Sequence, residues 1–106
     1  MIAKTPEPPY YAVIFTSVLN EVHEGYDEMA DEMVKLAETQ PGFLGIESAR
    51  SGLGISVSYW TDEVSIKNWK EQSRHQLAQK YGRENWYKSF MTRVAKVERD
   101  YGFGNT

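Results

Sequence analysis

The ten residues from Tyr10 to Leu19, Tyr-Tyr-Ala-Val-Ile-Phe-Thr-Ser-Val-Leu, constrain this chain more than any other segment. They are β-branched and aromatic, which reads as a strand. Their apolar side chains fall at both parities, with Tyr11, Val13 and Phe15 on one and Ala12, Ile14 and Val18 on the other. Successive strand residues point to opposite faces, so such a strand needs cover on both sides. A chain of 106 residues has room for one core. One covering layer can come from the chain itself, and the other has to come from elsewhere.

The remaining pattern supplies the first layer. Pro6, Pro8 and Pro9 make residues 1–9 an extended arm, either mobile or docked, ahead of a domain at 10–101 and a short tail at 102–106. Between Gly25 and Gln40, Tyr26, Met29, Ala30, Met33, Val34, Leu36 and Ala37 recur at helical spacing, and Pro41-Gly42 stops the helix. Phe43–Arg50 and Leu53–Trp60 read as strands joined by Ser51-Gly52, hence an antiparallel hairpin. Thr61 is the expected N-cap of a second helix running to about Tyr81, with Ile66, Trp69, Ser73 and Leu77 on its sheet-facing stripe. An aromatic turn at 84–87 then leads into a last strand, Phe90 to Tyr101.

The order βαββαβ predicts an α+β, ferredoxin-like fold, a four-stranded antiparallel sheet with both helices on one face. The bare second face is then an association surface, and a homodimer packed sheet on sheet is the expected cover.

Composition removes several functions. Without cysteine there is no disulfide, thiolate nucleophile or zinc ribbon. Residues 1–53 carry 3 basic and 9 acidic side chains and residues 54–106 carry 9 and 6, too few clustered cations for nucleic acid. No apolar run resembles a signal peptide or a membrane span, so a cytoplasmic protein without a membrane partner is expected. Two histidines exclude a His-rich metal site; His23, between Glu21 and Glu24, reads as a solvated loop residue sooner than a metal ligand. Gly52-Leu53-Gly54 lacks the third glycine of a dinucleotide fingerprint and joins two strands.

What remains is an aromatic set with one titratable partner: Trp60, Trp69, His75, Tyr81, Trp86 and Tyr87. A neutral imidazole can take a proton near pH 7, and the rings can form a stacking pocket, as proton abstraction from a phenolic or enolic substrate requires. The plainer alternative stays open. Trp69 is core in either case, and His75 lies about 120° from it on the helical wheel, at the helix–helix groove or in water. Arg93 reads as an anion anchor in the pocket or as a partner for helix 1 carboxylates.

Pro41-Gly42-Phe43-Leu44-Gly45, Val57-Ser58-Tyr59-Trp60, Trp69 after eight intervening residues, and then His75 resemble the antibiotic biosynthesis monooxygenase (ABM) family of dimeric α+β barrels. Gly82–Tyr87 and Arg93–Arg99 resemble a bacterial subgroup of uncharacterised small proteins, and the resemblance spans about residues 10–101. It implies a homodimer with a helix–sheet pocket in each subunit. It also implies cofactor-independent oxygenation of a small phenolic or other aromatic ligand, whose own anion supplies the electrons. Trp69 and His75 would then be catalytic, with Trp60, Tyr81, Trp86 and Arg93 lining the substrate pocket. Heme-degrading members carry their iron-binding histidine where this chain has Gln79, and an asparagine whose nearest counterpart is Asn20. Heme therefore stands as an alternative cofactor, and a non-catalytic ligand-binding or structural homodimer as a further one.

Overall fold

The computed structural model describes residues 1–80, of 78–80 the backbone only, and residues 86–104. Its elements are β1 (Tyr10–Leu19), α1 (Tyr26–Glu38), β2 (Phe43–Ser51), β3 (Leu53–Trp60), α2 (Glu63–Lys80) and β4 (Tyr87–Val97). The strands pair antiparallel in the order β2-β3-β1-β4, the ferredoxin-like arrangement.

Register sorts the side chains onto two faces. Tyr11, Val13, Phe15 and Ser17 of β1 stand level with Trp60, Ser58, Ser56 and Gly54 of β3, and with Lys96, Val94, Thr92 and Phe90 of β4. This is the face the helices cover. Trp60 stacks on Trp69 of α2, and Tyr87 of β4 meets Tyr26 of α1.

Helix α1 starts from Gly25 in the left-handed region (φ 86°), with no side-chain cap and with Asp27 and Glu28 in its first turn, where negative charge suits the helix dipole. Its apolar stripe turns inward, and Met29 and Ala37 are buried. Helix α2 differs from expectation at its start. The cap is Asp62, not Thr61: Asp62 Oδ1 accepts the Ser65 amide at 2.7 Å, and Thr61 Oγ1 donates to the same carboxylate at 3.2 Å. That amide bond holds the Asp62 carboxyl below its ordinary pKa. Ile66, Trp69, Ser73 and Leu77 do form the inward stripe.

The last strand also differs. It starts at Tyr87, three residues early, and ends at Val97, so Tyr101 is outside it and 92% exposed. Its pairing with β1 slips between Val18/Ser89 and Leu19/Tyr87, leaving Lys88 as a bulge. A bulge re-aims the side chains beyond it, and Tyr87 thereby joins Phe90 on the helix-facing side although the two are three residues apart.

The reverse face is covered at one end only. There the arm crosses it: the Ala3 amide donates to Glu47 Oε2 (2.8 Å), Tyr59 donates to Glu47 Oε1 (2.7 Å), and Tyr10 donates to Asp100 (2.6 Å). Burial and the Glu47 carboxylate push the Tyr59 phenol up to about 12. At the other end Leu53, Ile55 and Met91 are exposed.

Candidate functional site

The helix-facing side of the sheet has two unlike ends. At one, Trp60 is fully buried, with its indole N–H donated to Ser58 Oγ at 2.9 Å. Its ring lies 5.8 Å from that of the half-buried Trp69, nearly parallel, and 5.3 Å from Phe43, edge on. This is close-packed core. Of the residues that the sequence nominates, it brings together Trp60 and Trp69.

The others are dispersed. His75 is exposed on α2, beside a groove that it lines with Gln40, Asn68, Glu71 and Gln72. Trp86 is buried, donating its indole N–H to the Glu24 carbonyl (2.9 Å) and accepting the Asn20 amide on its own carbonyl (2.8 Å), which ties the 20–25 loop to the start of β4. Tyr81 lies outside the described residues. Arg93 is a correction. It pairs with Ile14, so strand alternation turns it to the face away from both helices, and it is neither a pocket anchor nor a partner of α1. His23 is exposed, its Nδ1 donating to the Asn20 carbonyl at 2.6 Å.

The opposite end holds a group of which the sequence nominates only Tyr87. Phe15, Tyr26, Tyr87 and Phe90 meet at ring-centroid distances of 5.4–5.7 Å. Burial raises the Tyr87 phenol well above its ordinary pKa; its hydrogen bond to Tyr26 adds to this and the nearby Arg50 charge opposes it. The helices leave this surface partly open, with Phe90 61% and Val94 50% exposed on the face they cover elsewhere. Arg50 reaches in from β2: Nη1 donates to the Ser17 carbonyl (3.2 Å), and Nη2 to Ser17 Oγ (2.5 Å) and the Tyr26 hydroxyl (3.3 Å). One signal could have found part of this group. Phe15 and Phe90 share a face once the β1–β4 register is known, whereas Tyr87 joins them only through the Lys88 bulge.

Among the described residues no group of three His, Cys, Asp or Glu side chains is placed to hold a metal ion. The groove beside His75 is walled by amides and a carboxylate, whereas heme presents two large apolar faces, so these residues do not fit heme. Among the described residues no helix is long and apolar enough to cross a membrane.

Comparison with known proteins places this geometry. The family model described as antibiotic biosynthesis monooxygenase matches residues 9–81. The uncharacterized protein YqjZ of Bacillus subtilis is 55% identical over 100 residues, covering 92% of this chain and 88% of that protein. A jasmonate monooxygenase of Pyricularia oryzae is 35% identical over 49 residues, 46% of this chain and 23% of that protein. Among solved structures, SnoaB, a cofactor-independent oxygenase from Streptomyces nogalater, superposes with a TM-score of 0.70 at 10% identity, over 86% of this chain and 95% of its own. PA3566 from Pseudomonas aeruginosa gives 0.67 at 15%, over 91% and 99%. At such identities the structural likeness carries the fold alone.

Proposed function

The chain belongs to the antibiotic biosynthesis monooxygenase family, and on that premise we propose that it is a cofactor-independent monooxygenase of a small aromatic or phenolic substrate, working as a homodimer in the cytoplasm. The observation that carries the reading is the half-covered aromatic surface of Phe15, Tyr26, Tyr87 and Phe90 between helix and sheet. Flat apolar rings set edge to face offer a phenolic ring both stacking area and a dry wall.

The chemistry asks little else of the protein. A deprotonated phenol or enol gives electrons to dioxygen; one oxygen atom stays on the substrate and the other leaves as water, balanced by two substrate hydrogens. The protein has to hold the ring, accept the first proton and exclude bulk water. Trp69 and His75 stand at the enclosed end, away from this surface, so in this proposal Trp69 steadies α2 over the sheet through its stack on Trp60, and His75, on the polar groove, takes up the released proton by way of solvent. The exposed Leu53, Ile55 and Met91 support a second copy packing on the reverse face.

The test is oxygen uptake by metal-free protein on a panel of phenols and quinols. Uptake that falls in Trp69→Ala and His75→Ala supports the reading and the two roles. Uptake unchanged in both removes those roles, and no uptake on any substrate overturns the reading. A heme titration with a Soret shift that is lost in His75→Ala would replace it with heme chemistry.

A further inference from the structure

Resting on that reading of the site, we propose that Arg50 is a fixed anion anchor, so that the aromatic ligand held against Tyr87 and Phe90 carries an anionic oxygen, a carboxylate or an ionised phenol. Arg50 stands opposite Gly54 in the β2–β3 pairing, and Gly54 stands opposite Ser17 in the β3–β1 pairing. A Cβ at Gly54 would run into the guanidinium. Glycine there lets the side chain lie flat across β3 until it reaches β1.

At β1 the guanidinium is held on three sides. Its donors go to the Ser17 carbonyl, the Ser17 hydroxyl and the Tyr26 hydroxyl, and its Cζ sits 5.3 Å from the centroid of the Tyr26 ring. Each of these acceptors is a neutral oxygen, so the bonds orient the cation without neutralising it. Of its five N–H donors these contacts use three. The remaining Nε–H and Nη1–H point to opposite sides of the guanidinium, each able to donate to one anionic oxygen, and Arg50 itself is exposed to an incoming ligand.

The apolar half of the site adjoins it. Phe90 stands directly opposite Ser17 across the β1–β4 pairing, so its ring and the Arg50 guanidinium flank the same residue from two sides. A ligand stacked on Phe90 and Tyr87 thus has a positive charge at one edge. Because the guanidinium is already ordered by Ser17 and Tyr26, little side-chain freedom is left to lose on binding.

The experiment compares 2-naphthoate with the uncharged 2-naphthol by titration calorimetry, and adds 4-nitrophenol followed through its ionisation to separate carboxylate from phenolate recognition. We expect at least one anion to bind about tenfold or more tighter than 2-naphthol, with a gap that narrows at high salt. Arg50→Gln brings anion and neutral probe to within about twofold and leaves 2-naphthol affinity unchanged, as loss of the charged hydrogen bonds alone requires. Gly54→Ala does the same at unchanged net charge, by displacing the guanidinium, with melting curves confirming that both variants fold. Equal binding of all probes, a preference that survives both variants, or no anion binding would each overturn the anchor. Oxygen uptake separates the two proposals. An Arg50-dependent preference without turnover of any phenol leaves the anchor and ends the oxygenase reading; turnover indifferent to Arg50 does the reverse.

Discussion

The two ends of one sheet face have opposite designs. Around Trp60 the rings are enclosed, and the indole N–H is satisfied by Ser58. Around Tyr87 the rings are left partly open, and a cation is oriented by neutral groups. Similar aromatic content thus serves stability at one end and is available for binding at the other. The difference lies in cover: Trp69 closes the first end, while the described part of the helices leaves Phe90 bare at the second.

The sharpest way to break this contrast is Trp60→Ala. Removing a fully buried indole leaves a cavity and costs about 3–5 kcal/mol, read as a fall in urea midpoint at constant slope. Trp69→Ala should cost about 1–3 kcal/mol, because its ring is only half-buried.

Behind Trp60, on the reverse face, Tyr59→Phe should cost about 1 kcal/mol through loss of its bond to Glu47. Its pH signature is specific. The folded phenol is pushed up to about 12, so its stabilising contribution is whole below the ordinary value of 10 and is lost as pH rises through about 12. Alkaline unfolding of the wild type and Tyr59→Phe should converge across that window.

Asp62→Ala should lower Tm by less, since the cap is fully exposed. Its carboxyl is held below its ordinary value of 3.8, so the cap's contribution is present above that value and disappears as pH falls through the lowered one. Melting curves of the two proteins should coincide in strong acid. At the open end, Phe90→Ala should change stability by less than about 0.5 kcal/mol, as for an exposed side chain, while weakening every naphthyl probe. A large loss of stability there would mean that this end, too, is core.

Legibility from sequence divides along the same line. Helical spacing places Ile66, Trp69, Ser73 and Leu77 inward, and two-sided apolarity marks β1 as a strand in need of cover on both faces, because both signals are local and periodic. Thr61 was the natural cap to nominate, as the first capping residue after Trp60. Asp62 wins because its carboxylate reaches the Ser65 amide, a matter of one residue's phase.

The site escaped for a different reason. Arg50, Ser17, Tyr26 and Tyr87 come from four elements, and only strand register makes them neighbours. Arg93 shows the reverse error: as a cation on the last strand it reads as an anchor or as a partner of α1 carboxylates, but its parity with Ile14 sends it to the far face. A single bulge at Lys88 decides that Tyr87 faces the helices, and alternation counted along the strand gives the opposite answer.

The sequence by itself determined the element order, the inward stripes and a sheet with one face in need of cover, because these follow from spacing within short segments. Tertiary structure alone decided which aromatics close into core, which stay open, and which arginine stands beside them. Those outcomes depend on pairing register between segments distant in the chain, where a shift of one residue exchanges the two faces of the sheet.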